Sequence, residues 1–314
     1  MELSLFDLHC DTAYEMHRRH LSLGDLHLAT SQRGSARYTH YLQVMAHWTP
    51  PSISDREGWS HLLSVYEHLF SDPALSSRQA CVFHFCPDTP PTIPTLLLSL
   101  EDARILDNDL SRVSKLSRMG FCMVTPLWRG HSSIGGAHDT DKGLTPFGKA
   151  ALSKMLKHGI LLDVSHASER SFEEILSLSD EYSLPAIATH SNAYSVCPVS
   201  RNLRNGQIRQ LLLQNGIIGL NLCTDFLCQA HDATAEHVLR HIDCFTQLGA
   251  ENALCFGCDF DGAHVPRDLS HVSSLPTVAE ALLKRNYSEA FVRGLFFENA
   301  FRFAKRYIQK RIQT

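Results

Sequence analysis

Five short segments of this chain each place a potential metal ligand at the end of an apolar run of strand length. His9-Cys10-Asp11 follows Leu5-Phe6, Glu101 follows Leu96 to Leu100, and His166 follows Ile160-Leu161-Leu162-Asp163-Val164. His190 follows Ala186-Ile187-Ala188-Thr189, and Asp259 follows Leu254-Cys255-Phe256-Gly257-Cys258. Imidazole nitrogens and carboxylate oxygens together suit hard or borderline divalent ions. His9 and Asp11 are two residues apart, and residues i and i+2 of a strand face one side, so both can reach one ion. A carboxylate closing an apolar run, as Glu101 does, is costly unless it is paired or holds a cation. Each segment also has an ordinary alternative. His9 and Asp11 could hydrogen-bond at a rim, Glu101 could cap a helix, and His166 and His190 could be core histidines. Asp259-Phe260-Asp261-Gly262 could be a turn, since Asp and Gly favour turns. Taken jointly, in this order and at strand ends, the five point to a metal centre.

Ligands so far apart in sequence need a scaffold that delivers many strand ends to one place. Apolar runs predict strands near 3–9, 41–47, 95–101, 120–125, 159–164, 186–190, 216–222 and 253–259. Helical patterns fall between them, near 57–70, 103–118, 146–158, 169–179, 205–214, 233–249 and 277–284. A last helix is expected from Glu289 to Tyr307, with Val292, Leu295, Phe296, Phe303 and Tyr307 on one face. Alternation of strand and helix implies a parallel sheet. Eight units imply an α/β fold of the (β/α)8 TIM-barrel type, with the metal site at the C-terminal face. Thr145-Pro146 reads as an N-cap followed by proline at the first helical position, and Gly159 and Gly249 as helix stops. Segments 22–38, 48–56 and 126–144 lack a regular pattern, and loops of that length are usually functional.

The chain has 314 residues, which suits one barrel domain of roughly 250 residues with additions, so residues 1–314 are expected to form a single domain. The net charge is -4 without blocks of like charge, which argues against nucleic acid as a partner. Ten cysteines sit mostly in apolar runs, among them Cys81, Cys86, Cys122, Cys223, Cys244 and Cys255, as buried thiols in a reducing compartment do. Cys255-Phe256-Gly257-Cys258 lies within a strand-like run rather than at a helix start, so no redox role is expected of it. The first residues carry no basic region or long apolar stretch, and no run approaches the ~20 residues of a membrane span. The expectation is therefore a cytoplasmic protein without a membrane partner, with oligomeric state, a homo-oligomer included, left open.

The full set of motifs resembles the membrane (renal) dipeptidase family of zinc metallopeptidases, within the amidohydrolase-like barrels. The matching stretches are Asp7-Leu8-His9-Cys10-Asp11-Thr12, Ser99-Leu100-Glu101, Gly143 to Gly148, Leu162 to Ser168, Thr189 to Ala193, Ser200-Arg201-Asn202, Gly257 to Gly262 and Glu298-Asn299-Ala300. The resemblance implies two Zn²⁺ ions. His9 and Asp11 would hold one, His166 and His190 the other, with Glu101 bridging both. It implies that Arg201 pairs with the substrate carboxylate and that Asp259 is the acid/base group. The implied reaction is hydrolysis of dipeptides by a hydroxide that bridges the metals. Other reactions would suit the same ligands, such as hydrolysis of N-acyl amino acids or lactams, and so would a barrel kept only for binding. One stretch departs from the family. Where its mammalian members carry a histidine that holds the oxyanion, this chain reads Val124-Thr125-Pro126-Leu127-Trp128-Arg129-Gly130-His131, with Trp128 in that place and Arg129 and His131 as other donors.

Overall fold

The computed structural model describes residues 2–83, 88–230 and 232–308; Cys86 lies outside them. Among these residues are eight strands: β1 (Leu5–Cys10), β2 (Tyr41–Trp48), β3 (Cys81–Val82), β4 (Thr95–Glu101), β5 (Phe121–Thr125), β6 (Leu161–Leu162), β7 (Ile218–Leu220) and β8 (Leu254–Phe256). Their order is β6-β5-β4-β2-β1-β8-β7, with β3 beside the start of β4. Every ladder is parallel. Parallel neighbours need long crossovers, and here the crossovers carry the helices. All strand C-termini consequently meet at one edge, where His9, Glu101 and Asp259 stand.

Apart from the short, half-buried β3, the strands are buried on both faces, so they read as continuous apolar runs. Phe6 and Leu8 pack in a cluster with Phe297, Ala300 and Phe303 of the C-terminal helical region. Leu5 belongs to the larger cluster that joins sheet and surrounding helices. Helix Pro146–Lys157 begins as expected, with Thr145 Oγ1 accepting from Gly148 N–H at 2.9 Å. Ser54, Ser168 and Ser288 cap their helices in the same way.

The structure corrects several boundaries. The strand expected at 159–164 has only two residues in a ladder. The strand expected at 186–190 forms no ladder; it makes two isolated parallel bridges, Asp163 with Ile187 and Ala188 with Ile218. Close approach explains this: a Cβ at Gly219 or Gly257 would overlap the Thr189 carbonyl, so backbone crowds in where a ladder would run. The helix expected at 103–118 is broken into a 3-10 turn, Ala103–Leu106, and helix Ser111–Met119. Asp107 and Asn108, with φ of 48° and 57°, interrupt it. Helix Thr12–Arg19, directly after β1, was not expected. The last helical stretch contains a π turn, Gly294–Glu298, beside Asn299, whose amide donates to the carbonyls of Glu251 and Leu254 at 2.9 Å each.

Nine cysteines are free thiols among the described residues. Burial pushes the Cys255 and Cys258 thiols up, which keeps them protonated and unreactive. No helix among the described residues is long and apolar enough to cross a membrane.

Candidate metal centre

His9 leaves the end of β1 fully buried. Its Nε2 lies 3.7 Å from Asp11 Oδ2, 3.4 Å from Glu101 Oε2 and 3.9 Å from Asp259 Oδ1. Strand alternation alone does not bring Asp11 here, because the chain has left the strand at φ −96°, ψ 17°. A backbone bond from Asp11 N–H to Phe260 O, 2.9 Å, turns it inward instead. Gly262 is required beside it, since a Cβ there would overlap Asp11 Oδ2. Asp259 sits in the left-handed region at φ 62°, with its N–H bonded to His9 O at 3.1 Å. Strain of this kind persists only where surroundings enforce it, and it gathers at functional sites.

Glu101 closes β4 and turns its other oxygen toward two further histidines. Oε1 is 3.1 Å from His166 Nε2 and 3.7 Å from His190 Nε2, and these two nitrogens are 3.0 Å apart. The protonation of both rings follows from their far sides. His166 Nδ1 is 2.9 Å from the Trp128 carbonyl, which can only accept, so Nδ1 carries the proton. Thr189 Oγ1 donates to Asp163, which leaves its oxygen to accept from His190 Nδ1 at 2.8 Å. Burial, then Arg201, lowers the pKa of His166; burial, then His9 and Arg201, lowers that of His190 well below the usual range. Both rings are therefore neutral, and both Nε2 atoms present bare lone pairs toward each other and toward a carboxylate.

Three acceptors facing one point with no proton among them repel unless a cation joins them. The other half of the site tells the same story. Burial and the charge of Glu101 push the Asp11 carboxyl up to about 8. For His9, burial opposes the charged form, but Glu101 and Asp11 outweigh it and hold the pKa well above the usual range. Glu101 itself, despite burial, is held well below the carboxylate range by His9 and His166. An anionic pocket that would retain a proton on His9 would hold a divalent cation in its place. Asp11 Oδ1 and His9 Nε2 are buried without a hydrogen-bond partner among the described residues, as metal-directed atoms should be. The residues present fit metal ions, and two groups, His9-Glu101-His190 and His9-Asp11-Asp259, converge closely enough to share one.

Arg201 is 4% exposed and donates from Nη2 to His190 O at 3.3 Å. Its buried Nε has no hydrogen-bond partner among the described residues, leaving a donor for a ligand. It lines a cavity of about 380 Å³. A second cavity of about 470 Å³ holds Asp11, Glu101 and Asp259, and His138 and His166 border both.

Sequence reasoning missed three contributors. Asn221 donates to Asp259 Oδ2 at 3.0 Å. Asp163, fully buried, accepts from Thr125 Oγ1 at 2.6 Å, from Ser165 N–H and Thr189 N–H at 2.9 Å each, and from Thr189 Oγ1. His138, from the irregular segment 126–144, bonds Ser200 Oγ through Nδ1 at 2.9 Å. It corrects the expectation for His131, which is exposed and lines neither cavity. Arg129 and Trp128 do border the metal-side cavity, but the Arg129 side chain is 73% exposed beside Asp139. An Asp inside an apolar run, such as Asp163, was the one available signal.

Comparison with known proteins agrees with this geometry. Residues 94–314 match the model of the membrane dipeptidase family, peptidase family M19. A Klebsiella pneumoniae protein, an uncharacterized protein in the pqqA 5′ region, is 28% identical over 222 residues, covering 67% of this chain and 81% of that one. The dipeptidase AC, a metallopeptidase of family M19, is 25% identical with a TM-score of 0.88, over 99% of this chain and 100% of its own. A Rhodobacter sphaeroides metallopeptidase, solved with a phosphinate mimic of the dipeptide L-Ala-D-Ala, is 25% identical with a TM-score of 0.87, over 98% of this chain and 100% of its own. An amidohydrolase from Pseudomonas aeruginosa, 17% identical with a TM-score of 0.78 over 97% of this chain and 96% of its own, shares the fold. On the strength of that match over residues 94–314, this chain belongs to the membrane dipeptidase family, peptidase family M19, and is a hydrolase of peptide bonds.

Proposed function

We propose that the chain is a two-zinc dipeptidase built on a closed (β/α)8 barrel and working in the cytoplasm. Closure is supported by the bridges of Asp163 to Ile187 and Ala188 to Ile218, which span from β6 to β7. The observation that carries the two-metal reading is the division of Glu101, with Oε2 toward His9 and Oε1 toward His166 and His190. His9 and Asp11 would hold one ion, His166 and His190 the other, and Glu101 would touch both. Three histidines and two carboxylates suit Zn²⁺. When bound, such a pair lowers the pKa of a water and polarises the carbonyl it attacks.

The remaining steps belong to the chain's own residues. Asp259 borders the cavity beside the ligands, and the Asn221 bond fixes one oxygen while leaving the other toward His9. It would take a proton from the attacking water and return it to the leaving amine. Arg201, on the His190 side, offers its unpaired Nε to the substrate's terminal carboxylate, in the forked geometry that guanidinium provides. A carboxylate held there, one residue beyond the scissile carbonyl, would limit the substrate to dipeptides.

A dipeptide library screened with added Zn²⁺, with a chelator control, tests this. Cleavage of dipeptides but not tripeptides is expected; preference for N-acyl amino acids or lactams would overturn it. Arg201→Met and amidation of the dipeptide should each cut kcat/KM by about 10- to 150-fold, because each removes one charged hydrogen bond. Combined, they should cost little more than either alone.

A further inference from the structure

Three aromatic side chains, from the first turn of helix Thr12–Arg19, the end of β2 and the loop after β5, form one wall of the metal-side cavity. Tyr14 meets Trp48 edge-on, with centroids 5.0 Å apart at 88°, and Trp48 lies 5.1 Å from Trp128. Their positions relative to the ligands are set by the backbone. Trp48 ends β2 in register with Glu101 on β4. Tyr14 lies in the first turn after Asp11. Trp128 follows β5 and accepts the proton of His166 Nδ1 through its carbonyl. The wall thus runs from Asp11 past Glu101 to His166. Arg201 is on the other side, bonded to His190 O, and it borders the neighbouring cavity instead.

We infer that Tyr14, Trp48 and Trp128 form the subsite for the side chain of the dipeptide's N-terminal residue, and that the enzyme prefers a large apolar or aromatic residue there. This rests on the dipeptidase reading. With the terminal carboxylate at Arg201 and the scissile carbonyl over the ligands, the N-terminal residue extends away from Arg201 and meets the aromatic wall. Aromatic rings offset or edge-on to one another prefer a further ring or branched chain over a bare backbone. Burying such a side chain favours it over glycine by about 10- to 100-fold.

Two series test this, X-Ala and Ala-X, with X running from Gly through Leu to Phe and Trp. In the first, kcat/KM should rise by about 10- to 100-fold from Gly-Ala to Phe-Ala. Trp48→Ala and Trp128→Ala should each lower the Phe-Ala to Gly-Ala ratio by about 10-fold. Binding provides a readout without turnover. The chain has three tryptophans, so Trp59→Phe leaves Trp48 and Trp128 as reporters. A phosphinate mimic of Phe-Ala should shift their emission to the blue, and a Gly-Ala mimic should shift it less. Dipeptide cleavage with a flat X-Ala series, or equal emission shifts for the two mimics, would overturn this inference alone. A steep Ala-X series beside a flat X-Ala series would place the C-terminal residue at the wall and overturn it as well. Failure to cleave any dipeptide with Zn²⁺ present would remove the dipeptidase reading and this inference together.

Discussion

His9 and Glu101 stand at the ends of β1 and β4, six and seven residues long, whereas His166 and His190 follow a two-residue strand and a segment with isolated bridges only. The first half of the centre is positioned by backbone ladders. The second half is positioned by side chains: Asp163 gathers Thr125, Ser165 and Thr189, and Thr189 in turn orients His190. His241 braces the same half from outside, accepting from Ala193 N–H at 3.1 Å through Nδ1 and lying 3.1 Å from Leu227 O through Nε2. Where hydrogen-bonded backbone is scarce, a buried polar network does the positioning, and such networks fail when one member is lost. The two halves should therefore respond differently to substitution.

The largest effect should come from Asp259→Asn, on the ladder side. We expect kcat to fall by about 10²- to 10⁴-fold with both ions retained, read by steady-state kinetics beside metal analysis. Retention of near-normal kcat would shift the acid/base role to another group, Asp261 first. Next is Asp163→Asn. It should weaken binding of one ion by about 10- to 100-fold and spare the other, as measured by competition with a chelator. Equal weakening of both ions would erase the distinction between the halves.

Acid should also act on the side-chain-braced half. Burial lowers the pKa of His241 to about 4, below its value of 6.5 in the unfolded chain. The folded state thus binds fewer protons, so its stability is fully present above pH 6.5 and is lost as pH falls through 6.5 toward 4. Between pH 7 and pH 5 this group alone should cost about 2 kcal/mol, visible in denaturant midpoints and reduced in His241→Gln. Smaller still is Thr189→Val, which removes two hydrogen bonds but no charge. It should cost about 1 kcal/mol of stability and leave the His9 side of the centre unaffected in metal titrations.

The same contrast explains what could be seen in the sequence. His9, Glu101 and Asp259 could be singled out as candidates because each follows an apolar run that forms a ladder over all or part of its length. His166 and His190 could be singled out as candidates too, yet the strands drawn beneath them were too long, because crowding around Thr189 depends on Gly219 and Gly257 arriving from elsewhere in the chain. Asp163 was visible only as one polar residue in an apolar run; its partners come from three segments. His138 lies in 126–144, where no periodicity indicates which side chain turns inward. Helix Thr12–Arg19 escaped because it is short, begins without a side-chain cap and is rich in polar residues.

The central claim is that Glu101 joins two cation sites. Elemental analysis of the purified protein, repeated for His166→Ala, tests it most directly. We predict about two divalent ions per wild-type chain and about one in the variant, with circular dichroism unchanged. A wild-type chain that carries no ion and takes up none from added Zn²⁺ would contradict the account.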